Sequence, residues 1–187
     1  MNSPKTLLPE LVIAVAMAAL VAAWPGLHDL AALGRFAASW VILVHWHFGV
    51  SFVLRHLGPP RRLWQTLGES LALLCLLAMT QALQAPAAWF LLNTAAYLVA
   101  LLRYLGQQPR GLSPGLSLYV RWKAWVEVVA VALNLGGAAL AWAWPGSQGW
   151  LAWAALGLNL AAAYGLSELL RLYDISQILD LQPVAQS

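Results

Sequence analysis

The sequence is built around repeated apolar runs, each long enough to cross the roughly 30 Å of hydrocarbon in a bilayer as a helix of about 20 residues. Hydrophobic residues make up 61% of the chain and charged residues only 9%. A soluble domain needs about 25% charged residues to cover its surface. We therefore predict an all-α, polytopic membrane helix bundle that forms a single transmembrane domain.

About six such runs fit on the chain, and proline and glycine are concentrated between them, as is typical of residues that end helices or form turns. The predicted spans lie near residues 7–24, 32–54, 67–84, 87–105, 122–143 and 150–170, and residues 171–187 form a cytoplasmic tail. Short loops near residues 26, 85 and 146 make this arrangement three consecutive helical hairpins.

Basic residues are divided unequally between the two sets of loops. Of the ten Lys and Arg residues, all except Arg35 fall on the side of the two termini. They are Lys5, Arg55, Arg61, Arg62, Arg103, Arg110, Arg121, Lys123 and Arg171. Short cytoplasmic loops carry the excess of Lys and Arg in membrane proteins. We therefore predict a multi-pass protein of the cytoplasmic (inner) membrane with both termini in the cytoplasm.

Two histidines, His45 and His47, lie near the middle of the second predicted span. Ionisable groups are costly in a membrane, so both are candidate ligand-binding residues. Residues two apart point about 200° away from each other on a helix, and they cannot both face one ligand. A haem would need a second axial ligand from another span, and no other predicted span contains a histidine. Haem binding stays an alternative to a neutral histidine that is hydrogen-bonded to an Asn or a backbone carbonyl of a neighbouring span.

Three asparagines, Asn93, Asn134 and Asn159, fall near the centres of their predicted spans at the same depth as His45. One interpretation is a polar layer that binds a small polar or amphipathic solute at the midplane, where transporters place their sites. The other interpretation is packing between helices, in which each hydrogen bond contributes about 0.6 kcal/mol on average. The sequence leaves both open.

Three glutamates, Glu69, Glu127 and Glu168, lie within a few residues of basic groups. Glu127 is one turn from Lys123, and Glu168 is three residues before Arg171, which are the spacings of ion pairs on a helix surface. We predict structural ion pairs here, with proton transfer as the alternative.

The tryptophans favour positions at the ends of the predicted spans, where an amphipathic ring is stable at the level of the lipid headgroups. These predicted anchors are Trp24, Trp64, Trp89, Trp122, Trp125, Trp144 and Trp150. The deeper ones, Trp40, Trp46, Trp142 and Trp153, pack the bundle, face lipid or line a pocket.

Small residues indicate close helix approach in two spans. Ala14, Ala18 and Ala22 recur every four residues in the first span, and Gly136 and Gly137 interrupt the fifth. We expect packing within the bundle, with docking to another membrane protein as the alternative. Residues 172–181 alternate apolar and polar side chains, which predicts a short amphipathic helix in the tail.

Several functions are not supported by the sequence. It contains no phosphate-binding loop, no zinc-protease helix and no nucleophile-elbow motif, so an enzyme is not the expected function. The single cysteine, Cys75, excludes cysteine-cluster metal sites, and no metal site is predicted. Basic residues do not alternate with aromatic ones, so nucleic acid is not an expected partner.

Three functional hypotheses follow. The first is an integral membrane protein that binds or transports a small solute at His45, His47, Asn93, Asn134 and Asn159, alone or within a complex. The second is a non-catalytic structural or assembly subunit of a larger membrane complex. The third is a haem-binding electron-transfer subunit, whereas the first two need no cofactor. The expected partners are the lipid bilayer and either another membrane protein or further copies of the chain.

Overall fold

The computed structural model describes residues 4–56, 63–106, 114–144, 146 and 148–172 of the chain. The described residues form six α-helices and a 3₁₀ turn, Trp24–Gly26, with no strand among them. The helices are α1 (Pro4–Ala23), α2 (Leu30–His56), α3 (Leu63–Gln81), α4 (Pro86–Gly106), α5 (Pro114–Ala143) and α6 (Gln148–Leu172). The predicted all-α helix bundle is confirmed.

Four stretches are long and apolar enough to cross a membrane. They are Pro9–Gly26, Leu63–Gln81, Pro86–Gly106 and Leu116–Ala143. Within α6 the apolar stretch is shorter, Gly149–Ala162. α2 is long but is not among these four stretches, and it contains Arg35, His45 and His47. The role of α2 and α6 as membrane spans therefore stays a prediction.

Local sequence explains several helix ends. Asp29 precedes α2, and its carboxylate Oδ1 accepts a hydrogen bond from the backbone N–H of Ala32 at 2.6 Å, as an N-cap residue does. Pro86 and Pro114 occupy the first positions of α4 and α5, where a missing N–H costs nothing. α5 therefore begins at Pro114, well before the predicted start at residue 122. This places Lys123 more than two turns into a helix instead of in its first turn.

The six helices form a closed ring. α1 packs on α2 and α3, α3 on α4, α4 on α5, α5 on α6, and α6 on α2. The most extensive contact joins α4 to α5 and the next joins α2 to α6, whereas α5 and α6 touch each other least among these neighbours. The chain is therefore consistent with three consecutive hairpins, but the third hairpin is opened and its two helices pack mainly on α4 and α2.

Two predictions about packing are wrong. Trp89 is not an anchor at a span end, because its side chain is fully buried between helices. Ala14, Ala18 and Ala22 do not pack within the bundle, because all three are exposed. The buried row on α1 is instead Ile13, Ala16 and Leu20. Residues 16 and 20 each follow an alanine of the stripe by two positions, which is about 200° around the helix, so the two rows face opposite directions.

The other tryptophans are more exposed than Trp89. The remaining predicted anchors are all exposed, and so are Trp142 and Trp153, whereas Trp40 and Trp46 are half-buried. The predicted tail helix and the side chains of the predicted Glu168–Arg171 pair lie outside the described part of the chain.

Candidate functional site

A long groove runs between α5 and α6, where these helices are in least contact. It has a volume of about 690 Å³ and extends from Trp122 and Ala162 at one end to Leu140 and Trp150 at the other. From residue 122 to residue 140 the groove is roughly 27 Å long, at 1.5 Å of rise per residue. Small side chains leave this space open, and they include Ala130, Ala132, Gly136, Gly137, Ala154, Ala155, Ala161 and Ala162. We call this feature the α5–α6 groove.

The lining of the α5–α6 groove is apolar apart from a few side chains, and three of these were predicted. His45, Asn134 and Asn159 line it, together with Tyr97 from α4. The hydroxyl of Tyr97 donates a hydrogen bond of 2.6 Å to Oδ1 of Asn159. This bond connects α4 to α6, so Asn159 both lines the groove and links two helices.

Asn134 has a different environment. Its amide nitrogen donates to the carbonyl of Ala130, one turn earlier in the same helix, at 2.8 Å. Its Oδ1 atom is buried and accepts no hydrogen bond from the residues that the structure describes. Asn134, whose side chain lines the groove, therefore carries a buried acceptor that the described residues do not use.

The predicted polar layer forms only in part. Asn93 is fully buried, does not line the groove, and donates its amide to the carbonyl of Trp89 at 2.9 Å. Asn159 also bonds one turn back, to Ala155. Within the described residues no hydrogen bond joins one of these asparagines to another. The cause is local, because an Asn inside a helix can satisfy its amide on the carbonyl four residues before it.

His45 bonds to a group that the sequence did not predict as its partner. Its Nε2 atom contacts Nζ of Lys123, and not an Asn or a backbone carbonyl. Lys123 in turn pairs with Glu127, with 2.7 Å between Nζ and Oε1. His47 lines neither cavity, and its ring packs edge-on against Phe48 with centroids 5.6 Å apart. The two histidines are therefore separated, as their spacing requires.

The Lys123–Glu127 ion pair confirms the predicted pairing but not its predicted place on a helix surface. The side chains of Lys123 and Glu127 are only 3% and 2% exposed. The sequence predicted Lys123 at the cytoplasmic end of span five, among the exposed basic residues, so its burial was missed. The signal that could have found it is Pro114, which allows α5 to start earlier and carry Lys123 into the bundle.

A second cavity, of about 280 Å³, lies among α2, α3, α4 and α5. Both Lys123 and Glu127 line it, together with Glu69 of α3 and Arg103 of α4, which form a second ion pair. His45 lines this cavity as well as the groove. We call it the ion-pair cavity. It contains most of the charged side chains that are buried in the described part of the bundle.

Arg35 is also buried, although its position in the sequence placed it toward the outer loops. Its side chain is 2% exposed, and Nε donates a hydrogen bond of 2.6 Å to the carbonyl of Leu83. This bond ties α2 to the connection between α3 and α4. Arg35 lines neither cavity, which makes it a structural residue and not part of the candidate site.

Among the residues that the structure describes, no group of three or more His, Cys, Asp or Glu side chains could hold a metal ion. The arrangement instead provides hydrogen-bonding groups inside an apolar groove and a charged cavity next to it. Comparison of the chain with protein-family models, with curated proteins and with solved structures found no match.

Proposed function

We propose that the protein is an integral protein of the cytoplasmic membrane that binds or moves a small amphipathic molecule in the α5–α6 groove. The membrane assignment is supported by four stretches long enough to cross a bilayer. The proposed orientation, with both termini in the cytoplasm, rests on the unequal distribution of Lys and Arg along the sequence.

The shape of the groove supports a ligand with an apolar chain. Its length of roughly 27 Å is close to the 30 Å thickness of the hydrocarbon layer. Trp125, Leu133 and Trp150 line the groove and are also exposed, so the groove opens sideways. In a membrane this opening faces lipid, and an apolar molecule can enter from the bilayer without passing through water.

The unused acceptor of Asn134 is the observation that carries the proposal. A hydrocarbon tail in the groove would leave Oδ1 of Asn134 without a hydrogen bond, and an unsatisfied buried acceptor costs about 1–3 kcal/mol. A ligand hydroxyl removes this cost once the Asn134 amide turns to bring Oδ1, which is closed to solvent in this structure, to the groove surface. The groove therefore favours an amphipathic molecule over a simple hydrocarbon chain.

Native mass spectrometry of the protein extracted gently from its own membranes tests the proposal. We expect the wild-type chain to retain a bound small molecule, and we expect Asn134→Leu to lose it because the acceptor is removed. Gly136→Phe is a second variant. Gly136 lines the groove, and a Cβ atom added there would have no atom within 4 Å, so a large side chain occupies ligand space.

Asn93→Leu is the matched control. Asn93 is a buried mid-helix asparagine with an unused Oδ1, like Asn134, but it does not line the groove. We expect this variant to keep the bound molecule if it folds. Equal retention by the wild type, Asn134→Leu and Gly136→Phe would show that the groove holds no specific ligand.

A role as a subunit of a larger membrane complex is the second candidate. The observation that favours it is the exposed row of Ala14, Ala18 and Ala22 on α1, because small residues allow another helix to approach closely. The same mass measurement tests it. A second polypeptide in fixed ratio supports the subunit role, and its loss in an Ala18→Leu variant would place the contact on α1.

A further inference from the structure

We propose that Glu127, Lys123 and His45 form a proton-transfer route that connects the ion-pair cavity to the α5–α6 groove. This activity is separate from ligand binding, because it rests on the contacts among these three side chains and needs no ligand in the groove.

The three side chains form an unbroken chain of contacts. Oε1 of Glu127 lies 2.7 Å from Nζ of Lys123, and the same Nζ contacts Nε2 of His45. Glu127 and Lys123 line the ion-pair cavity, whereas His45 lines both the cavity and the groove. The imidazole therefore stands in the wall between the two spaces.

The ion-pair cavity lies toward one end of the bundle, and the groove extends from that end to the opposite one. The ion-pair cavity is lined by Trp64 near the start of α3 and by Tyr104 near the end of α4. The groove extends to Leu140 near the end of α5 and to Trp150 near the start of α6. A proton that passes from the cavity to the groove at His45 therefore advances from one end of the bundle toward the other.

The chemistry of the three groups fixes where the protons lie at rest. An ammonium has donors and no acceptor, so Nε2 of His45 must accept from Lys123. His45 is therefore neutral at rest and carries its proton on Nδ1. Oε2 of Glu127 is closed to solvent and has no hydrogen-bond partner within the described residues, so the carboxylate must turn toward the cavity that Glu127 lines in order to take up a proton.

One turnover moves a single proton and restores each group. Lys123 passes a proton to Nε2 of His45, which leaves an amine and an imidazolium. The imidazolium releases its Nδ1 proton to a water molecule at the polar side chains of the otherwise apolar groove, which are Tyr97, Asn134 and Asn159. The carboxylate of Glu127 turns toward the cavity, takes a proton from water there and passes it to the amine, which restores the ammonium and the carboxylate. The imidazole then turns so that its unprotonated nitrogen again faces Lys123.

Other titratable groups lie around this route without interrupting it. Glu69 and Arg103 line the same cavity and pair with each other, so their charges offset. Tyr104 also lines the cavity, and Tyr97 lines the groove and donates to Asn159. These neutral hydroxyls and the balanced pair leave Glu127 as the carboxylate in direct contact with Lys123.

A purely structural ion pair is the competing explanation, and conservative variants separate the two. In His45→Gln the amide oxygen can accept from Lys123, but an amide does not carry a proton across. In Lys123→Arg the positive charge and the pair with Glu127 are kept, but a guanidinium does not lose its proton in proteins. A structural role tolerates both changes better than proton transfer does.

The test is proton flux into liposomes of phosphatidylethanolamine and phosphatidylglycerol that contain the purified full-length chain and a trapped pH-sensitive dye. A potassium diffusion potential set by valinomycin provides the driving force. We expect the wild type to raise the initial rate of proton entry above that of protein-free liposomes. We expect His45→Gln and Lys123→Arg to return the rate to the protein-free value.

His47→Gln is the control, because His47 is in the same helix but lines neither space, and it should keep the wild-type rate. Thermal unfolding in detergent shows which variants are folded, and Lys123→Arg decides the test if His45→Gln does not fold. A wild-type rate equal to that of protein-free liposomes would overturn the proposal. So would a wild-type rate that persists in a folded Lys123→Arg variant.

Discussion

Trp89 of α4 donates its indole N–H to the hydroxyl oxygen of Ser39 of α2 at 2.9 Å, and both side chains are fully buried. The same hydroxyl donates to the carbonyl of Arg35 at 2.7 Å. The hydroxyl of Ser39 therefore acts both as a donor and as an acceptor. Its bond to Trp89 joins α2 to α4, which are not next to each other in the ring. The largest buried side chain of the bundle thus has a specific polar partner.

Replacing this serine tests the contribution of the bond. In Ser39→Ala the indole N–H of Trp89 loses its acceptor in a buried site. We expect a loss of roughly 1 kcal/mol in the free energy of unfolding, within the maximum of about 1.7 kcal/mol measured for hydrogen bonds between membrane helices. Unfolding in detergent measures it. Ser70→Ala is the control, since Ser70 is exposed and its hydroxyl donates to the carbonyl of Thr66 in its own helix, and it should change little.

The sequence predicted the fold class because apolar runs of membrane length allow few alternatives to helices. It did not predict which face of each helix is buried. Every side of a membrane helix is apolar, so hydropathy does not distinguish a residue that faces lipid from one that faces the bundle. Trp89 and the alanine row of α1 were both misplaced for this reason.

The candidate site was predicted to a similar extent. Position along a helix predicts depth in a bilayer, and of the residues predicted at one depth the structure brings His45, Asn134 and Asn159 to one groove. The direction around the helix was not available from the sequence. Asn93 and His47 therefore point elsewhere, and Tyr97, which has comparable depth, was not recognised as a groove residue.

Two adjacent glycines of α5 provide a matched test of helix packing. A Cβ atom on Gly137 would lie 2.7 Å from a ring carbon of Phe90 in α4, whereas a Cβ atom on Gly136 would have no atom within 4 Å. We expect Gly137→Ala to destabilise the protein by about 1–3 kcal/mol through overpacking.

Gly136→Ala is the control and is expected to be neutral, or to stabilise by up to about 1 kcal/mol because alanine has the higher helix propensity. Thermal unfolding of both variants in the same detergent gives the comparison. A Gly137→Ala variant as stable as Gly136→Ala would contradict the close contact between α4 and α5 at Phe90.

The proposed orientation predicts a pattern of chemical labelling. His28 lies in the connection before α2 and Leu105 near the end of α4, and both are exposed. In a Cys75→Ala background, we expect a membrane-impermeant thiol reagent added to intact spheroplasts to label His28→Cys and not Leu105→Cys. Lysed spheroplasts serve as the control, because both positions should then react. The reverse pattern would place the termini outside the cytoplasm.

The buried ion pair predicts an interaction between two substitutions. Lys123→Met leaves Glu127 as an unpaired charge that is 2% exposed, and we expect a loss of about 3–5 kcal/mol in the free energy of unfolding. In the double variant Lys123→Met/Glu127→Leu no charge is left unpaired, so the loss should be smaller than in Lys123→Met alone.

Arg121→Met is the control for the loss of one positive charge, because Arg121 is exposed on the same helix, and it should leave stability nearly unchanged. Denaturant unfolding in detergent measures all three variants. If Lys123→Met were no less stable than the double variant, the positive charge of Lys123 would not stabilise the buried carboxylate of Glu127. The contact between these residues would then not contribute to folding. The proposed proton route uses the same contact, so this result would count against the route as well.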